Sequence, residues 1–136
     1  MRGWLTDTGP FVAILDRDDP NHARCTDALQ RARSPLVTTW PVITEASYLL
    51  AFSRQAQDGL LDMIQRGVVF MALITDQDVP RVRVLMEKYK DVPMDFADAT
   101  LVRIAERESI LDMFTLDRDF TIYRACRGRR FSILPS

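Results

Sequence analysis

Asp7, Glu45, Asp98 and Asp117 stand beside apolar segments spread along the whole chain, each at the expected end of a strand or in the first turns of a helix. Carboxylates brought together repel one another, so a fold that gathers four of them calls for a cation to offset the charge. Oxygen ligands of this kind suit Mg2+ or Mn2+. Divalent ions held by carboxylates supply an activated water and charge neutralisation for phosphodiester hydrolysis. Any one of these acids alone reads as a surface charge or a helix cap. Jointly they read otherwise, because Ala46 follows Glu45 and Ala97 and Ala99 enclose Asp98, leaving room for neighbouring backbone.

Other chemistries have weaker support. His22 is the only histidine, two residues after Pro20 in the first turn of an expected surface helix, where a surface or packing role is the ordinary one. Cys25 and Cys126 are far apart and in no metal-ligand spacing, so two buried thiols in a reducing cytosol are expected rather than a disulfide framework. No glycine-rich phosphate loop occurs, and Gly9 stands where a haloacid-dehalogenase-type phosphatase would carry its second Asp.

The elements that must position the acids follow from the apolar pattern. Trp4 to Asp7 reads as a first strand ending on an acid, followed by a short buried helix through Phe11, Val12, Ile14 and Leu15. Asp19 is the expected N-cap, with Pro20 at the first position, of a helix running to about Ala32 that turns Ala28 and Leu29 inward. Leu36 to Thr39 is extended. Pro41 opens a helix to Leu50, and a further helix from Gln55 to Gln65 has Leu60, Leu61 and Ile64 as its apolar stripe before Gly67 ends it. The unbroken run Val68 to Ala72 is expected to be a strand buried on both faces. Thr75 caps a helix from Asp76 to Tyr89 with Val79, Val82, Leu85 and Met86 inward. After the Pro93-Met94 elbow come a helix carrying Leu101, Val102, Ile104 and Ala105, a strand at Leu111 to Phe114, a short helix or turn at Phe120 to Tyr123, and a closing strand at Phe131 to Leu134.

Strands alternating with helices predict an α/β domain, a three-layer α/β/α sandwich on a mainly parallel sheet of four to five strands. At 136 residues with 47% hydrophobic composition, residues 1–136 form one expected domain with a real core. In such sheets ligands collect beyond the carboxyl ends of the strands, which is where the four acids fall. No apolar stretch is long enough to span a membrane, and Asp7 interrupts the first apolar run too early for a signal peptide, so a cytoplasmic protein is expected.

Lys and Arg total 18 against 19 Asp and Glu, a net charge of −1, which argues against binding nucleic acid by bulk charge. The basic residues are instead concentrated in Arg124, Arg127, Arg129 and Arg130, with Arg118 nearby, close after the fourth acid and able to hold RNA phosphates or simply to solvate a loop. Trp40, Tyr48 and Phe52 fall near one helix face, for core or dimer packing before base stacking.

The run from Thr6 through Asp7 to Pro20 resembles the opening of PIN-domain proteins of the VapC toxin type. Thr44-Glu45-Ala46 resembles the second motif of that family, Met94 to Ala99 the third, and Thr115 to Phe120 the fourth. Each motif is weak alone; four in order across the chain are specific. The resemblance implies a metal-dependent endoribonuclease, homodimeric and silenced by a VapB-like antitoxin, with Asp7, Glu45, Asp98 and Asp117 as its acidic quartet and no quartet member missing. It implies Thr115 as a hydroxyl assisting the fourth acid, with Thr8, Asp95 and Asp119 as auxiliary groups. Glu45 serves either as a ligand or as the base that orients the water. Transfer RNA and ribosomal RNA are both reasonable substrates. The alternatives are another metal-dependent nuclease or phosphohydrolase, acting on DNA or a small phosphate ester, and a dimeric module that binds RNA or protein without cutting.

Overall fold

In the computed structural model, which describes residues 2–135, five three-residue strands form one sheet. They are β1 (Trp4–Thr6), β2 (Leu36–Thr38), β3 (Val69–Met71), β4 (Asp112–Phe114) and β5 (Ser132–Leu134), in the order β3-β2-β1-β4-β5 with every neighbouring pair parallel. The helices are α1 (Thr8–Leu15), α2 (His22–Arg31), α3 (Trp40–Leu49), α4 (Arg54–Gln65), α5 (Val79–Lys88) and α6 (Phe96–Glu108).

Successive residues of a strand face opposite sides, so burial of both parities means that helices cover both faces. Leu5 and Thr6, Leu36, Val37 and Thr38, and Met113 and Phe114 are all buried, which makes the sheet the middle of three layers. α1 packs on α2, α3 and α4, while α5 packs on α6. The chain runs outward from β1 to β2 and β3, then returns to β4 on the other side. The sheet therefore reverses its order of travel between β1 and β4, and a crevice opens beyond the carboxyl ends of those two strands.

α6 is the helix that carries Asp98, and two forces fix it. Leu101, Val102 and Ile104 are fully buried, each contributing about 1.5–3 kcal/mol by leaving water. Near its other end, Asp78 accepts from Arg103 Nε at 2.8 Å and from Arg107 at 2.9 Å, and Arg81 forks onto Glu106. Burial works against the Asp78 charge, but the Thr75 N–H and the two guanidinium groups outweigh it and hold the carboxyl below its usual range. The same Asp78 closes a capping box with Thr75 at the head of a 3-10 turn, Asp76–Asp78, that leads into α5.

Several expectations need correction. The helix expected from Asp76 is this 3-10 turn followed by α5, and Val79 points outward with 43% of its surface exposed. Leu61 is likewise exposed, so the inward stripe of α4 rests on Leu60, with Ile64 and Met63 partly buried. Ala28 and Leu29 do turn inward from α2, Ala28 buried and Leu29 partly buried against the core. The Val68 to Ala72 run is not buried on both faces: β3 is an edge strand, and Val68 and Phe70 are exposed. Asp19 does not cap α2; its carboxylate accepts from the Asn21 N–H in a local turn, and the helix starts at His22. Gly67 does end α4, with a φ of 81° that a side chain would resist. Cys25 is buried as expected, but Cys126 is exposed among arginines.

Candidate metal centre and active site

Asp7 is the first residue past β1 and the one before α1. Its N–H donates to the Phe114 carbonyl at 2.9 Å, tying the end of β1 to the end of β4 across the crevice. Its side chain is 6% exposed, and its Oδ2 accepts from the Thr115 hydroxyl at 3.0 Å. Thr115 Oγ1 in turn accepts the Asp117 N–H at 3.0 Å. One hydroxyl thus bridges the Asp7 carboxylate and the Asp117 backbone. Asp117 then caps the 3-10 turn Arg118–Thr121 through its Oδ1, which accepts from the Asp119 N–H at 2.9 Å.

Asp98 approaches from the first turn of α6. Asp95 is the N-cap of that helix, its Oδ1 accepting the Asp98 N–H at 2.8 Å. Asp98 itself is 7% exposed, and its Oδ2 accepts from the Tyr123 hydroxyl at 2.9 Å. One carboxylate oxygen from each of Asp7, Asp98 and Asp117 lies within 4.8 Å of the other two. Glu45 stands just outside this trio. It is exposed on α3, accepts from the Thr8 hydroxyl at 2.5 Å, and lines with Asp7, Thr8 and Asp117 a hollow of about 400 Å³.

Burial dominates the electrostatics. It pushes the Asp7 carboxyl up to about 6, and the Asp117 and Glu45 charges push the same way, against the Thr8 N–H and the Thr115 hydroxyl. Burial, then the Asp7 and Asp95 charges, push Asp98 up to about 8, against the Tyr123 hydroxyl. Asp119 is also raised, by burial and then by Asp117 and Asp95. Two unit charges about 5 Å apart repel by roughly 3 kcal/mol at an effective dielectric constant near 20. Among the described residues, no Lys or Arg forms an ion pair with any of the three aspartates. An all-oxygen donor set, two-thirds buried and without a protein cation, fits a hard divalent ion.

Of the auxiliary groups, Thr115 and Thr8 bond directly to acids of the site, whereas Asp95 and Asp119 lie beside it, Asp95 as a helix cap. The basic residues divide. Arg124 is tied down, one of its guanidinium nitrogens donating to the carbonyls of Thr121, Ile122 and Tyr123. Arg118, Arg127, Arg129 and Arg130 are exposed. His22 takes a packing role, its Nδ1–H donating to the Ala13 carbonyl at 2.7 Å. Trp40, Tyr48 and Phe52 are not core residues: all three are exposed, Tyr48 by 79%. Trp40, Thr44 and Tyr48 fall at four-residue spacing on α3 and, with Phe96, border a hollow of about 700 Å³ beside Glu45. Among the described residues, no helix is long and apolar enough to cross a membrane.

Tyr123 is the site residue that the sequence reading passed over. A buried tyrosine needs a partner for its hydroxyl, and that need was the available signal.

The PIN domain family model matches residues 5–125. The chain is 28% identical over 135 residues to Ribonuclease VapC26 of Mycobacterium tuberculosis, covering 96% of this chain and 99% of that one. Two solved structures share the fold. VapC20 of Mycobacterium tuberculosis, described as a toxin that cleaves the sarcin–ricin loop, has a TM-score of 0.82 at 18% identity, over 88% of this chain and 94% of its own. VapBC2 of Rickettsia felis, bound to a DNA fragment from its promoter, has a TM-score of 0.66 at 11% identity, over 97% of this chain and 98% of its own.

Proposed function

This chain belongs to the PIN-domain family, and from that premise we propose that it is a divalent-metal-dependent endoribonuclease, the toxin of a toxin–antitoxin pair. The observation that carries this reading is the trio of Asp7, Asp98 and Asp117 at the β1–β4 crevice, the first two buried and the third exposed, with no Lys or Arg ion-paired to it among the described residues.

In this reading the three aspartates hold the cation, Mg2+ first and Mn2+ as its substitute. When bound, the cation supplies an activated water and offsets charge on the phosphate. The chain's own residues do the rest. Thr115 fixes Asp7 and Asp117 relative to each other, and Thr8 fixes the Glu45 carboxylate at the mouth of the hollow. Glu45, exposed and outside the trio, is suited to orient a water and accept its proton. Arg118, Arg127, Arg129 and Arg130 hold RNA phosphates on the approach; the fixed Arg124 shapes the loop that presents them. The apolar stripe of Trp40 and Tyr48 with Phe96 suits a protein partner, whether a second copy of this chain or a VapB-like antitoxin. The action is cytoplasmic, and the substrate is a structured RNA, with transfer and ribosomal RNA both within reach of this reading.

One experiment separates cutting from binding. RNA binding and cleavage are measured in Mg2+ and in EDTA, at several salt concentrations, for the wild type and for Arg129→Ala with Arg130→Ala. The wild type is expected to bind in both media and to cut only with the metal. The double variant is expected to lose roughly 1.4 from the slope of log affinity against log salt, as two phosphate contacts to a single strand require. An unchanged slope removes Arg129 and Arg130 from the RNA surface, and cutting that persists in EDTA removes the metal-dependent mechanism.

A further inference from the structure

Tyr123 is fully buried, and its hydroxyl spends its proton on a carboxylate: it donates to Asp98 Oδ2 at 2.9 Å. The ring cannot swing away from that contact. Phe120 meets it edge-on at 5.1 Å between centroids, and Tyr89 meets it at 5.0 Å on an interplanar angle of 66°. The backbone beneath is held as well. Arg124 clamps the carbonyls of Thr121, Ile122 and Tyr123, while the Arg124 N–H donates to the Tyr89 hydroxyl at 3.0 Å. Three aromatic rings and an arginine thus serve to aim one O–H bond at one oxygen of Asp98, a residue 25 positions away in the chain.

We propose that Tyr123 is a positioning residue for cation binding: by occupying Oδ2 it fixes the rotation of the Asp98 carboxylate and leaves Oδ1 as the oxygen offered to the metal. This rests on the metal-site reading above and assigns it a component outside the four acidic motifs. A carboxylate free to turn about its Cβ–Cγ bond loses orientational entropy each time it takes up a cation. One already held by a buried donor has lost that freedom on folding, so affinity is gained without a new ligand. Hydrogen-bond partners of metal ligands typically change metal affinity by about 10–100-fold when removed. The phenol suits this better than a lysine would, because it donates one directed bond and brings no charge to compete with the metal.

The test is Mn2+ binding by purified protein, followed calorimetrically and by the tyrosine difference absorption spectrum, for wild type, Tyr123→Phe and Phe131→Leu. Tyr123→Phe keeps the ring and removes only the hydroxyl. It is expected to weaken Mn2+ binding by about tenfold or more and to abolish the part of the spectral change that reports the buried phenol. Phe131→Leu perturbs the same aromatic cluster through Phe120, 6.1 Å away between centroids, without touching Tyr123 or a carboxylate, and is expected to bind Mn2+ as the wild type does. Wild-type affinity in Tyr123→Phe overturns the proposal and leaves the metal site standing. Equal weakening in both variants also overturns it, because the cluster then acts only as packing. Absence of Mn2+ binding by the wild type overturns the metal site and this proposal together.

Discussion

Asp98→Asn is expected to melt at a higher temperature than the wild type when both are free of metal at neutral pH. Asp98 is 7% exposed, and burial together with the Asp7 and Asp95 charges holds its carboxyl up at about 8 against a reference of 3.8. Folding must therefore keep a proton on that group, or bear its charge, at a pH where the unfolded chain would have released the proton. A neutral amide of the same shape avoids that penalty, and its carbonyl still accepts from Tyr123. Discounted for relaxation of the site, the gain is about 2 kcal/mol, or roughly 5–10 °C for a chain of this size. Divalent metal should then reverse the order. At a hundredfold excess over its dissociation constant the ion stabilises the wild type by about 2.7 kcal/mol, and the asparagine variant gains little. A variant that is less stable without metal, or one that still shifts normally with Mg2+, would mean that Asp98 is an ordinary buried acid.

Metal affinity should also climb steeply with pH. A carboxyl whose folded pKa lies above its unfolded value binds its proton more tightly in the native state. The stability this gives is fully present below about 4 and is lost as pH rises through about 6 for Asp7 and about 8 for Asp98. A cation competes with those same protons. Between about pH 6 and 8 its binding displaces one proton, from Asp98, so the apparent dissociation constant falls up to tenfold per pH unit, roughly a hundredfold across the window. Just below about 6, Asp7 contributes a second proton and the dependence steepens. Calorimetry in two buffers of different ionisation enthalpy counts the protons directly. An affinity that is flat from pH 6 to 8 would place the cation elsewhere.

The acids were legible in the sequence because each sits at a junction that declares itself locally. Asp7 closes an apolar strand, Asp117 follows another, and Asp98 lies one turn past the Pro93 elbow between two alanines. The alternation of strand and helix was enough to expect parallel strands, and the parallel sheet brings those junctions to one edge without further information. What the sequence obscured was long-range. Apolar character made Val68 to Ala72 look interior, but whether a strand lies inside or at the edge depends on which neighbours it finds, and β3 has only β2. Leu61 and Val79 fit a helical stripe and still face outward, because the stripe is wider than the surface available to cover it. Trp40 and Tyr48 have core composition on an exposed face. Asp95 was visible as an acid, while its capping bond needed the helix start to be known to the residue. Tyr123 meets Asp98 only because the turn after β4 folds back on α6.

In the proposed function the aspartate trio cuts RNA with the help of a divalent ion. It is tested most directly by incubating total cellular RNA with purified wild type and with Asp7→Asn, each in Mg2+, in Mn2+ and in EDTA, after confirming that no partner protein has co-purified. The wild type should yield discrete fragments with either metal and none in EDTA, and Asp7→Asn should lose about a hundredfold to a thousandfold in rate, the order expected when a principal stabilising group is removed. Fragments of equal abundance from Asp7→Asn, or from wild type in EDTA, would mean that the trio or the metal does not carry the cleavage.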